Sequence, residues 1–246
     1  MHLCDSKKVF KMNKILTLLS VLILLISCET NENKMNLTGN VKGLKKGTLL
    51  LQKIEDSLLV TIDSVSVNGS SLFIFSETVL EPEIYYLYVR LENGFLNDDR
   101  IAFFAEAKPI NINTTLTNFA VDAKITGSRN QEKYKIYNKI IDRYSDRNLE
   151  LIEQSFEARK QGNDSLANKL DISKNSILAK KYLATISYAL SNKDFEISPY
   201  LMVSHINDTK LYYLDSVYNN LSPKIKDSKY GKDLESLIQS RKKLDN

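Results

Sequence analysis

The spacing of apolar residues changes once along the chain, at Gly127-Ser128, and this change constrains the fold more than any other feature. From Leu37 up to that point, apolar and polar residues mostly alternate, as they do in half-buried strands. Beyond it, apolar residues recur every three or four positions, as on one face of a helix. Strands that precede helices, rather than alternate with them, predict an α+β fold. We expect an N-terminal antiparallel β-sandwich or partly open barrel (residues 37–127), followed by an α-helical subdomain (residues 128–246).

About eight short strands are predicted in the first half of the chain. Asn68-Gly69 and Asn93-Gly94 are typical of hairpin turns. The alternation slips phase near Asp63-Ser64, which predicts a β-bulge. The last predicted strand runs from Phe119 to Ile125.

A long helical hairpin is predicted in the second half. Ser128 to Gln131 fits a capping box, and Gly162-Asn163 combines a helix-ending glycine with a new N-cap. The first helix, which ends near Gln161, would be on the order of 50 Å long at 1.5 Å per residue. We therefore expect its base, near Ile141, to pack on the sheet and its tip, near Phe156, to project.

An apolar stripe on the first helix is predicted to face a partner element. It is formed by Tyr134, Tyr137, Ile141, Tyr144, Leu149, Ile152 and Phe156.

Residues 1–27 are typical of a lipoprotein signal peptide. Lys11 and Lys14 precede an apolar run, Ile15 to Ile26, that is too short to span a bilayer as a helix. The run ends in Leu25-Ile26-Ser27-Cys28, which resembles the bacterial lipobox, so Cys28 would become the acylated first residue. Residues 28–36 would form a flexible tether. An uncleaved signal anchor is the alternative, and Met12 is an alternative start to Met1.

The charge balance argues against nucleic-acid binding. Four lysines and one acid lie in the predicted signal peptide, so the rest of the chain has a formal net charge of +1 rather than +4. Nucleic-acid binding requires clustered basic residues, and no basic stripe remains.

Residues with reactive side chains are rare. The sequence contains only Cys4, Cys28, His2 and His205, with no Cys-x-x-Cys and no Cys/His cluster for zinc. It also lacks a Gly-x-Ser-x-Gly elbow, a phosphate loop and a dinucleotide fingerprint. We therefore expect a protein that is not an enzyme and that binds no cofactor and no metal.

Ser204-His205 and Asp208 contain the residue types of a hydrolase triad. Catalysis needs a base oriented across space toward a separate nucleophile, which sequence neighbours rarely supply. Pro199 is predicted to break the segment that leads to them.

Tyr85, Tyr86 and Tyr88 form a candidate aromatic binding face for sugar rings or peptides. Packing of the same rings in the core, with their hydroxyl groups at the sheet margin, is the alternative.

Four sites fit an Asp-(Ser/Thr)-aliphatic pattern that resembles the O-glycosylation acceptor of Bacteroidetes envelope proteins. The candidate acceptors are Ser57, Ser64, Ser165 and Ser216. Turn and N-cap chemistry, which also uses Asp-Ser, is the alternative.

Four stretches, in this order and spacing, carry a resemblance to a known family. They are Leu37 to Val41, Ile62 through Asn68-Gly69 to Tyr85, Ile125 to Ser128, and Leu221-Ser222-Pro223 through to Gly231. The chain resembles a family of unknown function found in envelope lipoproteins of Bacteroidetes, usually ahead of a thioredoxin-like or alkyl-hydroperoxide-reductase-like domain. This sequence ends at Asn246 without that catalytic domain.

Together these features predict a lipid-anchored protein of the outer membrane, on its periplasmic face or the cell surface, that acts as a non-catalytic binding or adaptor module. Its membrane contact would be the lipid on Cys28. The alternative is an accessory protein that docks a separate thioredoxin-like oxidoreductase or peroxidase in trans.

Overall fold

The computed structural model describes residues 33–94 and 99–244 of the chain. All of them belong to one unit, Asn33–Asn246. The predicted signal peptide, Cys28 and the first part of the tether lie outside the described residues.

Eight strands among the described residues form two open four-stranded sheets. The first sheet has the order β4-β1-β7-β8 and the second the order β3-β2-β5-β6. The predicted α+β class is confirmed, with open sheets rather than a closed barrel. The strands are β1 (Lys34–Lys42), β2 (Lys46–Glu55), β3 (Leu58–Asn68), β4 (Leu72–Thr78), β5 (Glu83–Leu91), β6 (Ile101–Ala105), β7 (Pro109–Thr115) and β8 (Lys124–Thr126).

The two sheets bury one shared core between them. The first sheet contributes residues such as Leu37, Phe75 and Ile112, and the second contributes Leu51 and Phe103, all with essentially no exposed surface. Alternate residues of each strand therefore face inward, as the period of two predicts.

One strand pair differs from the antiparallel arrangement that we expected. Strands β1 and β7 are parallel, with Leu37 opposite Ile110, whereas every other pair is antiparallel. Alternation reports which face of a strand is buried and carries no information on the direction of its neighbour. The parallel pair was therefore beyond the reach of the sequence pattern.

Both ends of the predicted β-region needed correction. Strand β1 begins at Lys34, three residues inside the predicted tether, because Met35 is fully buried in the core. Strand β8 spans only three residues. Phe119 instead lies buried in the turn before it, where its carbonyl oxygen accepts a hydrogen bond from the Thr114 hydroxyl at 2.6 Å.

The predicted β-bulge is present in β3. Leu51 pairs with Asp63 and Gln52 pairs with Thr61, so Ile62 is the extra residue.

Six helices follow the strands in the described chain. None of them is long and apolar enough to cross a membrane. They are α1 (Arg129–Lys160), α2 (Asp164–Ser191), α3 (Ile197–Ser204), α4 (Leu211–Asn220), α5 (Pro223–Lys226) and α6 (Lys229–Leu244).

One of the two hydrogen bonds of the predicted capping box is present at the start of α1. The Ser128 hydroxyl accepts from the Gln131 backbone N–H at 3.0 Å. The Gln131 side chain does not return that bond, because its Oε1 accepts from the backbone N–H of Phe104 at 2.9 Å. The residue thus ties α1 to the edge strand β6.

Pro199 does not break its segment, contrary to the prediction. It lies in the first turn of α3, where backbone N–H groups have no intrahelical acceptor, so the ring costs no hydrogen bond.

Helices α1 and α2 form the predicted hairpin. Gly162 has a φ of 73°. Its backbone N–H donates to the Arg159 carbonyl oxygen at 3.0 Å, and the backbone N–H of Asn163 donates to the Ala158 carbonyl oxygen at 2.8 Å. These two bonds form a Schellman end. The Asn163 side chain then caps α2 by accepting from Leu166 N–H at 3.1 Å.

We call residues 145–181 the arm. None of these residues belongs to the three hydrophobic clusters identified in the described chain. Arm hydrogen bonds cross from α1 to α2, with Asp171 accepting from Ser155 at 3.1 Å and pairing with Arg159. The base of the hairpin packs on the sheet as expected, with Ile141 against Ile84 and Phe104, and the projection of the tip stays a prediction.

The predicted stripe is correct at the base of α1 and wrong along the arm. Tyr137 and Ile141 are buried, but Leu149, Ile152 and Phe156 are exposed. The buried arm positions of α1 are instead Leu151, Ser155 and Ala158. Two of these side chains are small, so apolar spacing alone could not identify the contact between the helices.

Candidate binding cleft

The helices cover the outer face of the second sheet. Ile84 and Phe104 of that face pack with Tyr137 and Ile141 of α1 and with Tyr230 of α6. This interface fixes the helices against the sheet, and a cleft opens at its margin.

The cleft has a volume of about 650 Å³, within the range of about 300–1,000 Å³ that small-molecule sites occupy. We call it the tyrosine cleft. Its aromatic wall consists of Tyr86 from β5, Tyr200 from α3 and Tyr230 from α6. Its remaining lining residues are Ile54, Asp56, Ser57, Ile84, Ser204, Lys229 and Asp233.

Contacts between sheet and helices hold the aromatic wall in place. The Tyr230 hydroxyl oxygen accepts from the Ile84 backbone N–H at 2.9 Å. The rings of Tyr200 and Tyr230 lie 5.1 Å apart, and Phe104 meets Tyr200 edge-on at 5.2 Å. Aromatic pairs at these separations attract each other, so the wall is formed before any ligand arrives.

The start of α6 is tied to β5 and the turn before it by two carboxylates. Glu81 accepts from the Lys229 backbone N–H at 2.7 Å, and Glu83 accepts from the Lys229 ammonium at 2.5 Å. A cation–π contact of 5.7 Å also joins that ammonium to the Tyr230 ring. The positive charge of Lys229 is therefore matched within the protein.

The hydroxyls of Tyr200 and Tyr230 are neutral at physiological pH. Burial raises the pKa of both Tyr200 and Tyr230 above the ordinary value, so neither is a base or an anionic nucleophile there. They can donate and accept hydrogen bonds, and their rings can stack.

Two carboxylates at the cleft have no hydrogen-bond or ion-pair partner in the described chain, those of Asp56 and Asp233. Although much of Asp233 is accessible to solvent, desolvation by its neighbours raises its pKa, and the nearby Glu81 and Glu83 charges add to that effect against Lys229. Asp56 and Asp233 therefore contribute two carboxylates to the lining of the cleft.

The residue types of the hydrolase triad make separate contacts. Ser204 lines the cleft, His205 Nε2 lies 3.3 Å from the Tyr134 hydroxyl, and Asp208 accepts from the Tyr182 hydroxyl at 2.8 Å. Partial burial, and then the charge of Lys181, lower the pKa of His205, so it is neutral at pH 7. Histidine and aspartate are thus not joined into a relay.

The predicted tyrosine face is divided by the sheet. Tyr85 points into the sandwich core, where burial raises its pKa to about 12. Tyr88 is buried under the Arg100 guanidinium, 5.1 Å from the ring. Only Tyr86 lines the cleft. The alternation of strand side chains explains why adjacent Tyr85 and Tyr86 cannot share a surface.

The candidate glycosylation residues lie at four separate places. Ser57 is exposed at the tip of the β2–β3 hairpin, with φ of 68°, and Ser64 is exposed beside the bulge. Ser165 is exposed in the first turn of α2, and Ser216 is half-buried in α4.

Sequence patterns missed most of the cleft. Tyr200, Tyr230 and Asp233 are far from Tyr86 along the chain, and no spacing rule connects them. One signal was available in the last stretch of the family resemblance, because Gly231 follows Tyr230. A Cβ on Gly231 would lie 2.0 Å from the Ile225 carbonyl oxygen, so only glycine permits this close approach of α5 and α6.

No group of three or more metal-ligating side chains occurs in residues 33–94 or 99–244.

This architecture is that of an α+β protein whose two-sheet body is covered by helices on one side. Residues 35–134 match the family described as Domain of unknown function (DUF4369). The match contains the sheets and the start of α1, and therefore Tyr86, but it ends before Tyr200 and Tyr230. No curated protein matches the chain.

Proposed function

We propose that this protein is a lipid-anchored, non-catalytic binding or adaptor module of the bacterial cell envelope. The observation that carries the proposal is the tyrosine cleft, an aromatic concavity of about 650 Å³ whose lining includes two carboxylates, Asp56 and Asp233, that make no ion pair in the described chain. Pockets that combine apolar or aromatic walls with a few polar groups are typical ligand sites. The separate contacts of Ser204, His205 and Asp208 favour binding over hydrolysis.

The proposed anchor is the acylated thiol of Cys28, which would hold the body at the outer membrane, on the periplasmic face or at the cell surface. Support comes from the basic residues, the short apolar run and the lipobox-like end of residues 11–28. Each methylene group of an acyl chain that enters the membrane contributes about 0.8 kcal/mol of binding free energy. One chain gives only marginal, reversible binding, so stable anchoring requires more than one.

Cys28→Ala is expected to abolish lipid labelling. Without the thiol there is nothing to alkylate, so radiolabelled palmitate should not be incorporated and the protein should leave the membrane fraction or remain unprocessed. Cys4→Ala is the matched control, because it removes the only other thiol of the chain and should leave labelling intact. Wild-type labelling of Cys28→Ala would contradict the proposed anchor.

A bulky substitution in the cleft tests whether the partner binds there. Ser204 is exposed at the end of α3 and lines the cleft, so Ser204→Trp should obstruct it without disturbing the core. We expect affinity capture from envelope membranes to lose its co-purifying partner in this variant. Ser240→Trp, at an exposed position of α6 outside the cleft, should capture normally. Equal capture by both variants would show that the partner binds elsewhere.

The second candidate is an accessory protein that docks a separate thioredoxin-like oxidoreductase or peroxidase in trans. Support for it comes from the resemblance in the sequence, which implies relatives fused to such a domain in Bacteroidetes. A Cys-x-x-Cys protein encoded by the neighbouring reading frame and recovered in the capture would support this candidate. A captured partner without such a motif would favour the first.

A further inference from the structure

We infer that the tyrosine cleft binds an organic cation, namely a primary ammonium group on an alkyl chain. This inference rests on the proposed function, because it names the ligand class of the same cleft. The group could belong to a lysine side chain of a peptide or to a free polyamine, and the two sources share the chemistry that the cleft recognises.

The first argument is the balance of charge around the cleft. Lys229 is the basic residue that lines it, and Glu83 holds the Lys229 ammonium at 2.5 Å. Lys53, on the neighbouring strand, pairs with Glu55 at 2.8 Å. The carboxylates of Asp56 and Asp233 are exposed and make no ion pair or hydrogen bond in the described chain, although the Lys229 charge acts on Asp233.

The position of Asp233 in its helix would allow an ion pair with Lys229, which the structure does not form. It lies one helical turn after Lys229, a spacing at which opposite charges commonly pair. Glu83 on β5 takes that ammonium instead. The Lys229 charge acts on the Asp233 carboxylate without forming an ion pair with it, so the Asp233 oxygens remain open to an external cation.

The second argument is the aromatic wall. A cation within about 6 Å of a tyrosine ring centroid is attracted to the electron-rich face, and the attraction grows as water is excluded. Lys229 already makes such a contact with Tyr230 at 5.7 Å, so this ring accepts an ammonium group. Tyr86 and Tyr200 line the same space.

The apolar residues of the cleft complete the match. Ile54 and Ile84 line it alongside the rings and would cover the methylene groups of an alkylammonium chain. The hydroxyls of Ser57 and Ser204 can accept hydrogen bonds from an ammonium group. The cleft therefore combines aromatic faces, carboxylates and hydroxyl acceptors with a partly apolar wall. An alkylammonium group can interact with each of these groups.

The test uses three peptides that differ only at a central lysine, norleucine or glutamate and carry one tryptophan. The protein has no tryptophan, so the peptide emission reports binding to the full chain in detergent. We expect the lysine peptide to bind about tenfold more tightly than the norleucine peptide, a difference of about 1.4 kcal/mol. The glutamate peptide should bind more weakly still. Spermidine should displace the lysine peptide if a free polyamine also fits the cleft, and a failure to displace it would assign the site to peptides.

Matched variants locate the site. Asp233→Asn and Asp56→Asn should each weaken binding of the lysine peptide about threefold to tenfold, while Asp146→Asn, an exposed position on α1, should change nothing. Asparagine tolerates the left-handed backbone of Asp56, whose φ is 48°, so this turn is preserved. Equal binding of lysine and norleucine peptides, or no effect of either aspartate variant, would overturn the inference.

Failure of this inference is distinguishable from failure of the proposed function. If Ser204→Trp abolishes partner capture while lysine and norleucine peptides bind equally, the cleft is a binding site and the cation is wrong. If Ser204→Trp captures normally while the lysine peptide binds with aspartate dependence, the cation site stands and the partner of the module lies elsewhere.

Discussion

Ile141→Ala is expected to lower the free energy of unfolding by roughly 2–5 kcal/mol, whereas Phe156→Ala should lower it by less than about 1 kcal/mol. Ile141 is 7% exposed and packs in the interface between the helices and the second sheet, whereas Phe156 is 65% exposed on the arm. Truncating a buried side chain loses transfer energy and leaves a cavity. Truncating an exposed one does neither, although the phenylalanine is the larger residue.

Urea denaturation of the two variants, followed by circular dichroism, measures the difference. Leu149→Ala, another exposed arm residue, is a control that should resemble Phe156→Ala. Equal losses for Ile141→Ala and Phe156→Ala would mean that the tip packs into the body and that the projecting arm is wrong.

The sequence predicted the elements of the fold because one physical signal, the spacing of apolar residues, specifies them locally. The change at Gly127-Ser128 falls between the last strand and α1, which begins at Arg129. Gly127 also has φ of 104°, and a Cβ there would lie 2.1 Å from the Pro109 carbonyl oxygen. The junction therefore requires glycine on both conformational and steric grounds.

What the pattern missed depends on partners distant in the chain. Apolar residues signal burial only when burial uses apolar side chains, and the arm buries Ser155 and Ala158 instead. The direction of β7 depends on its pairing with β1, which no local spacing encodes. The tyrosine cleft likewise joins Tyr86, Tyr200 and Asp233 only after the helices have packed on the sheet.

A buried polar network, also invisible in the sequence, connects the β-body to α1 and α3. Glu106 Oε1 accepts from the Ser128 hydroxyl at 2.8 Å, from the Asn130 backbone N–H at 2.8 Å and from the Asn130 side-chain amide at 3.1 Å. The same amide donates to Glu196 at 2.8 Å. Asn130 Oδ1 in turn accepts from the Ile197 N–H at 2.9 Å. One amide therefore connects two buried carboxylates and the start of a helix.

Asn130→Ala is expected to lower the free energy of unfolding by about 3 kcal/mol or more at pH 7. The change leaves the buried Glu196 carboxylate and the Ile197 N–H without their described partners, and each buried unsatisfied group costs about 1–3 kcal/mol, more when charged. Ser240→Ala, at an exposed position of α6, is the control and should be neutral.

The pH dependence of the stability lost in Asn130→Ala tests how much of that loss comes from the ionised Glu106 carboxylate. Burial acts to raise the pKa of Glu106, but the hydrogen bonds from Asn130 and Ser128 outweigh it, so the pKa lies below its ordinary value of 4.5. A carboxylate with a lowered folded-state pKa stabilises the protein above the unfolded-state pKa, and that stability is lost as pH falls through the folded-state pKa. Asn130→Ala removes one of the groups that lower this pKa. The difference in the free energy of unfolding between wild type and variant should therefore become smaller below about pH 4.5.

Glu106→Gln separates charge from packing in the same network. Glutamine keeps the shape and can still accept from Ser128 and Asn130, but it does not titrate, so the stability of this variant should fall less steeply than that of wild type as the pH is lowered from 7 to 4. Urea denaturation of wild type, Asn130→Ala and Glu106→Gln at several pH values measures the three slopes. Parallel curves would mean that the ionised form of Glu106 adds no stability and that Asn130 stabilises the junction through its contacts with Glu196 and Ile197.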